Sequence, residues 1–387
     1  MKSWEILNEL ERGEQWPYKS KNEKLELSII ASYEKINIKP VISFSTRQGK
    51  SMWDTSSVLF YFYLGMAILA IWAVYQAWSS QSRTETIHPF KAFCHLLAFY
   101  LSYLLVPLVF FSIYAGWSGY YSLHEAVFVF LISAVLSYAR FIEPHLIQVK
   151  TTQYQINADK RLKQPVRIAL IADLHIGLFS GHERQLRQIV HKLNHVQPDL
   201  VVVAGDWTYE PENKLAQELA VLKEIHAPVY SVNGNHDEQY PGPPIQELLQ
   251  YALQVNQVMD IEGQIVEFDE FRLLGVGDLW AGKADMRSLP DLPQDKPWVI
   301  LSHNPDTVDM IPKLPTRPLM LAGHTHGGQV ELPWLTDYVM KKVSILGHKK
   351  GMYRHEHADV FVTVGTGLVG VPFRFRVPPT IDIIELI

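Results

Sequence analysis

Five apolar runs in the second half of the chain each end in a short polar cluster, and no other feature constrains the fold as much. The runs cover residues 166–172, 200–204, 229–232, 298–301 and 319–322. Short continuous apolar segments bounded by turn residues read as buried strands. Helical spacing fills the connectors. Leu186, Ile189, Val190, Leu193 and Val196 share one face of a helix expected over 185–196, and Leu215, Leu219, Leu222 and Ile225 repeat the pattern in the next connector. Strand–helix–strand alternation argues an α/β domain. Two late strands are expected at 360–364 and 381–386.

In open α/β sheets, sites form outside the carboxyl ends of the strands. All five clusters lie there. They read Asp173-Leu174-His175, Gly205-Asp206, Gly234-Asn235-His236-Asp237, Ser302-His303-Asn304 and Gly323-His324-Thr325-His326-Gly327. Each carries residues that bind metal through oxygen or imidazole nitrogen. Asp173 and His175 are two apart, so their side chains leave the strand end in similar directions. Asp206 has two oxygens and can bridge two cations. Taken singly, a turn or a structural histidine explains Asp206, Asn235 with His236, and His303 better than a metal does, and for Asp173 with His175 the two readings balance. His324 and His326, flanked by glycines after an apolar strand, have few structural uses. Taken together, the clusters supply ligands for two metal ions, and two adjacent metals imply chemistry on phosphate esters. Mixed oxygen and nitrogen donors suit Mn, Fe or Zn, with no thiolate among them to favour a softer ion.

The ordered set Asp-x-His, Gly-Asp, Gly-Asn-His-Asp, His and Gly-His-Thr-His resembles the calcineurin-like metallophosphoesterase superfamily over roughly residues 165–387. Gly327-Gly328-Gln329, Val371-Pro372-Phe373-Arg374 and Pro378-Pro379 resemble its membrane-associated YkuE-like branch. The resemblance implies a four-layered α/β/β/α sandwich, two mixed sheets face to face with helices outside. It implies that Asp173, His175 and His326 bind one metal, that Asn235, His303 and His324 bind a second, and that Asp206 bridges them. His236 would be catalytic and not a ligand. It would stand near the leaving-group oxygen as acid or charge stabiliser, working protonated. Hydrolysis would use a metal-activated hydroxide. Arg374 and Trp207 are the candidate substrate residues, because Arg pairs bidentately with phosphate and Trp can cover a base or an acyl chain. Trp280 and Arg376 belong to the same neighbourhood. For all four, packing and fold salt bridges are the competing explanation, and for Asp278 it is a turn.

The first half differs in character. Residues 58–78, 92–114 and 126–138 hold no charge, and the third run extends upstream with only Glu125 interrupting. A span needs about 20 apolar residues. Trp72, Trp78, Trp117, Tyr120 and Tyr121 lie near the ends, where amphipathic rings prefer the headgroups. Buried helices of a soluble bundle would show a polar stripe that these runs lack. The chain therefore divides into a polar tail over 1–51, a membrane region over 52–145 with about three transmembrane helices, and a catalytic domain over 150–387. The tail has no signal-peptide pattern. It reads as a floppy segment or as an over-long gene start, with Met52 the true beginning.

Basic residues set orientation. Arg83 and Lys91 fall in the first loop and Arg140, Lys150, Lys160, Arg161 and Lys163 after the third span, which places the domain in the cytoplasm. Arg47 and Lys50 oppose this unless the chain starts at Met52. The expected location is thus the cytoplasmic, or inner, membrane, with several passes. The 387 residues carry a formal net charge of -5, so no basic excess exists to hold nucleic acid. Cys94 is the single cysteine, so no intrachain disulfide forms. A tethered domain meets lipid headgroups, so the expected substrate has a phosphodiester or pyrophosphate bond in a lipid-linked or nucleotide-linked molecule. The alternative is a UDP-2,3-diacylglucosamine-type pyrophosphatase of lipid A assembly. A non-catalytic scaffold or sensor on the same fold is a second alternative, opposed by the complete ligand set. Transport is opposed by the scarcity of ionisable residues in the spans, where only Glu125 and His95 stand out.

Overall fold

The apolar runs of the first half form four helices, α1 (Thr55–Gln81), α2 (Pro89–Leu101), α3 (Leu105–Trp117) and α4 (Leu123–Phe141). The computed structural model describes residues 55–84, 86, 88–156, 162–238 and 245–387. The expected tail over 1–51, the alternative start at Met52, and Lys160 and Arg161 lie outside the described residues. Residues Leu59–Ile387 form one compact unit, apart from Met1–Val58. Helices α2 and α3 run on through the 3-10 turn Ser102–Leu104. Three helical stretches, of 26, 29 and 23 residues, are therefore long and apolar enough to cross a membrane. Glu125, the acid that interrupts the third run, is a capping residue. Its carboxylate accepts the Ser122 backbone N–H at 2.9 Å while Ser122 Oγ caps the first turn of α4. Arg140 closes the same helix. Its Nε donates to Ser102 Oγ at 2.9 Å, and its guanidinium lies 4.1 Å from the Phe99 ring centroid.

The rest of the chain builds two six-stranded sheets. In chain order the strands are β1 (Gln148–Tyr154), β2 (Val166–Ile171), β3 (Ile176–Gly177), β4 (Leu200–Ala204), β5 (Thr208–Tyr209), β6 (Val229–Val232) and β7 (Val258–Asp260). They continue with β8 (Ile265–Glu267), β9 (Arg272–Gly275), β10 (Trp298–Leu301), β11 (Leu319–Ala322), β12 (Gly351–Arg354), β13 (Asp359–Val362) and β14 (Thr380–Leu386). The helices between them are α5 (His182–Val196), α6 (Leu215–Glu218), α7 (Asn235–Glu238), α8 (Ile245–Val255) and α9 (Leu335–Val343). The first sheet has the order β1-β14-β2-β4-β6-β7 and the second β12-β13-β11-β10-β9-β8. Both are mixed. Strands β2, β4, β6 and β7 run parallel, as do β9, β10, β11 and β13, while β14, β8 and β12 pair antiparallel with β2, β9 and β13.

The central strands β4, β10 and β11 are apolar throughout because both faces are buried. Ile168, Leu170, Val202 and Ala204 point between the sheets, where they meet Val299, Leu301, Leu319 and Leu321. The alternate residues Ala169, Ile171, Val201 and Val203 pack outward on Leu186, Ile189 and Leu193 of α5. On the far side, Trp298, Ile300, Met320 and Val360 are covered by Met286, Leu289, Val308 and Ile311. Much of that fourth layer is 3-10 turn and loop (Leu289–Asp291 and Pro305–Met310), so it is thinner than the helices expected there. The connector expected to be helical through Ile225 also differs. It is the single turn α6 followed by a 3-10 turn, and Ile225 is already extended. Pro228 lies just beyond and disfavours helix in the residue before it.

Candidate metal centre

Every polar cluster emerges at the carboxyl end of its strand, and the two-stranded ribbon of β3 and β5 holds two of them side by side. Potential ligand atoms of Asp173, His175 and His326 lie within 4.8 Å of one another, as do those of Asp206, His303 and His324. Asp206 stands between the two groups. Its Oδ2 is 3.6 Å from His175 Nε2 and 3.2 Å from His303 Nε2. Asn235 joins the second group, with Oδ1 3.2 Å from His303 Nε2. All seven residues expected as ligands are therefore brought together.

The imidazoles are oriented from behind. His175 and His303 donate Nδ1–H to the carbonyls of Thr208 and Ala204, at 3.3 and 2.7 Å, and His324 donates Nε2–H to Val343 O at 3.2 Å. A carbonyl only accepts, so in the neutral ring each inward nitrogen keeps its lone pair. That is how histidine ligands are fixed around metals. The inward atoms crowd each other. His175 Nε2 is 2.8 Å from His326 Nε2, and His324 Nδ1 is 3.1 Å from His303 Nε2. Two facing nitrogens share at most one proton, whereas a cation satisfies both lone pairs and the adjacent carboxylate. His326 Nδ1 is buried with no hydrogen-bond partner among the described residues. The donor set, imidazole with carboxylate and amide oxygen, fits borderline divalent ions.

The backbone is bent to make this possible. Asp173, His175, Asp206, His324 and His326 all have φ between 51° and 72°. Non-glycine residues visit that region rarely, at a cost on the order of 1 kcal/mol each. Strain of this kind gathers at functional sites. The glycines serve close approach. A Cβ on Gly234 would collide with the Asp206 carboxylate, and one on Gly365 would lie 2.5 Å from Asp173 Oδ2.

Burial sets the charges. It pushes His175 and His324 down to about 3 and holds His326 well below the ordinary histidine value, so these rings are neutral, the form that binds metal. Burial alone would also lower His303, but the carboxylate of Asp206 facing it raises it to about 10. Asp206 is buried too, yet the charge of His303 beside it holds it well below the usual carboxylate range.

His236 follows on α7. Its backbone N–H donates to Asp206 Oδ1 at 2.9 Å, and its ring centroid lies 5.0 Å from those of His175 and Tyr209, edge-on to both. Burial pushes its pKa down, with Asp206 opposing, which runs against the expectation of a protonated His236. Asp237, unassigned from sequence, holds the loops together. It accepts from Trp207 N, Thr208 N, Thr208 Oγ1 and Gly234 N at 2.9–3.1 Å. Its place in Gly-Asn-His-Asp was the only signal available.

Two expectations are corrected. Arg374 is fully buried, and its guanidinium donates four hydrogen bonds to the carbonyls of Val364, Gly367 and Val377, so it braces a loop and does not face a phosphate. Trp207 is also fully buried, in the helix-side core, with Nε1–H donating to Ser231 Oγ at 2.6 Å. Trp280 instead lies half-exposed beside the centre, 4.4 Å from the His324 ring and edge-on to it. Asp278 caps a turn, accepting from Ala281 N at 2.9 Å. The apolar helix α2 packs beside the site. Ala92, Leu96 and Phe99 of α2 form one apolar cluster with Leu178, Phe179 and Tyr209.

Two mixed sheets carrying two converging His/Asp groups define a dinuclear metallohydrolase, and residues 166–349 match the calcineurin-like phosphoesterase family. Residues 166–349 are thus a calcineurin-like phosphoesterase domain, the chain is a metal-dependent phosphoester hydrolase that takes two divalent ions, and its relatives include YkuE-like metallophosphoesterases. It is 25% identical over 260 residues to metallophosphoesterase YkuE of Bacillus subtilis, covering 64% of this chain and 88% of that one. It is 28% identical over 267 residues to phosphodiesterase YaeI of Escherichia coli, covering 66% and 94%. It is 24% identical over 305 residues to UDP-2,3-diacylglucosamine pyrophosphatase LpxG of Chlamydia trachomatis, covering 63% and 90%.

Proposed function

We propose that this chain is a membrane-tethered phosphoesterase that hydrolyses a phosphodiester or pyrophosphate bond at the bilayer surface. The observation that carries the reading is the convergence of two ligand groups on Asp206 within loops that pack against α2. Asp173, His175 and His326 would hold one ion, Asn235, His303 and His324 the other, and Asp206 both. When bound, the ions neutralise phosphate charge and lower the pKa of the attacking water. The protein's own groups do the rest. Asp206 fixes the His236 main chain, and the Tyr209 and His175 rings orient its imidazole. From there an imidazole N–H can donate to the departing oxygen. The buried walls exclude water and strengthen each electrostatic contact.

Arg83, Lys91, Arg140, Lys150 and Lys163 support a multi-pass arrangement in the cytoplasmic membrane with the domain on the cytoplasmic side. A second reading, a UDP-2,3-diacylglucosamine-type pyrophosphatase, is favoured by the apolar cluster of Phe99, Phe179 and Tyr209, because an acyl-bearing substrate could reach the site without leaving the surface. The test is the full chain in proteoliposomes, loaded with Mn or Zn, against a soluble diester, a phosphomonoester and UDP-2,3-diacylglucosamine. Hydrolysis of a diester or of the pyrophosphate that is abolished by Asp206→Ala supports the proposal. Turnover of the soluble diester with none of the lipid sinks the lipid version. No turnover of any substrate at full metal loading sinks both.

A further inference from the structure

Helix α9 has apolar residues on the wrong side. Thr336 and Met340 face inward against Gly328. Leu335, Tyr338 and Val339, spaced as one outer stripe, are exposed, and so are Trp334 and Ile345 at its two ends, at 87% and 89%. A helix on a soluble domain keeps its outer face polar, and contiguous exposed apolar side chains mark an interaction surface.

The exposure is built in. Trp334 is held at φ 62° at the start of the helix. Thr336 Oγ1 donates to Val330 O and accepts from Leu332 N, both at 2.7 Å. At the other end, Ser344 Oγ and Ile345 N both donate to the Asp306 carboxylate at 2.6 Å, which fixes Ile345 outward.

We infer that α9 and the Ile345-Leu346 turn after it lie in the headgroup layer of the bilayer that the long helices cross, forming a separate, interfacial attachment beside the metal centre. Two observations choose a bilayer as the occupant. The first is continuity. Gln329 Nε2 donates to Val369 O and Val371 O at 3.1 and 2.8 Å, and Leu368 and Val369 pack on the cluster containing Ala92, Leu96 and Phe99 of α2. Glu331 N donates to Phe375 O, and the neighbouring Arg374 N donates to Ala139 O of α4, both at 2.9 Å. The strip that leads into α9 is thus bonded to the segment that touches the membrane helices. The second is charge. Lys341 and Lys342 stand in the last turn, with Lys342 Nζ 5.0 Å from the Tyr338 ring. Basic residues beside Trp, Tyr and Leu suit an anionic lipid surface. Lys349 and Lys350 are engaged locally by Asp337 and Glu331. The attachment matters to the site because His324 bonds the Val343 carbonyl at the end of α9.

The inference rests on the long helices crossing the bilayer, so the test carries a control for each. The full chain with Cys94→Ser receives one cysteine at a time, Tyr338→Cys, Ile345→Cys, Phe110→Cys in α3 or Ser288→Cys on the far loops. All four positions are exposed, so a small fluorophore does not disturb the core. The labelled proteins enter vesicles of phosphatidylethanolamine and phosphatidylglycerol containing doxyl-bearing lipid. The Tyr338→Cys and Ile345→Cys labels should lose fluorescence to shallow doxyl groups and the Phe110→Cys label to deep ones, while the Ser288→Cys label keeps its signal. Labels on α9 that behave like Ser288→Cys overturn the inference while leaving the spans intact. A Phe110→Cys label that also stays bright overturns the spans and the inference with them. Crosslinking between Tyr338→Cys copies without lipid quenching assigns the face to a second copy and overturns it as well.

Discussion

The Tyr209 hydroxyl lies 2.6 Å from His95 Nδ1, which joins a side chain of the second apolar helix to the loop that follows Asp206. The Tyr209 ring is also 5.0 Å from that of His236 and 5.6 Å from that of His175. Tyr209→Phe removes only the hydroxyl. If the whole of a hydrogen bond worth about 1 kcal/mol is felt in the transition state, turnover falls about fivefold. Steady-state kinetics with elemental analysis would show the loss at full metal content, and unchanged turnover would mean that α2 does not influence the site.

His236→Ala should lower kcat by about 100-fold or more, the range for a lost acid or base. Bound metal should stay near the wild-type level, because His236 meets Asp206 through its backbone N–H. Parallel loss of metal and activity would reassign it as a ligand.

Asp206→Asn keeps the shape and removes the charge shared between the two groups. Metal affinity should fall by at least about 100-fold, the upper end of what loss of an outer-shell partner costs. Titration of the chelator-stripped protein with Mn or Zn, read by calorimetry, checks this independently of turnover. Wild-type affinity in the variant would remove Asp206 from the centre.

Arg374→Met leaves the carbonyls of Val364, Gly367 and Val377 without a charged donor. The cost should be roughly 3 kcal/mol or more. Thermal unfolding should register the change, and KM of the folded fraction should hold. Arg374→Lys should not restore stability, since an ammonium cannot reproduce the planar fork. A raised KM at unchanged stability would restore the phosphate-binding role that the burial denies.

Asp382 gives the domain a pH dependence. Burial pushes its carboxyl up to about 6, although Thr363 Oγ1 donates to it at 2.6 Å. The folded chain therefore holds this proton more tightly than the unfolded one. The stabilisation is complete below the unfolded value, near pH 4, and is lost as pH rises through about 6. Asp382→Asn should gain on wild type by roughly 1.5 kcal/mol between pH 5 and pH 8, because a shift of about two units carries about 3 kcal/mol and half of it has already developed at pH 5. Denaturation midpoints at the two pH values test this, and a constant difference would reject it.

The strands that carry chemistry were legible because each is buried on both faces. Leu200–Ala204 and Leu319–Ala322 read as apolar runs for that reason, and each ends where its ligands begin. The edges of the sheets were not legible. Gln148–Tyr154 is largely exposed and polar, and only its pairing with Thr380–Leu386 makes it a strand. Val258–Asp260 ends in a carboxylate after two apolar residues, and Arg272–Gly275 begins on a charge and ends on glycine, so neither reads as an apolar run. Residue type misled at Arg374 and Trp207, whose chemistry suits a substrate but whose surroundings are carbonyls and core. Tyr209 and His95 meet across 114 positions, and nothing local records that contact.

Asp173, His175, Asp206, His324 and His326 share a left-handed backbone. None of these residues would choose that conformation in a free chain, and the strands that precede and flank them impose it. The fold therefore bears the cost of holding these five residues, on the order of 1 kcal/mol each, and relaxing any one of them to an ordinary backbone conformation would turn its side chain away from the others.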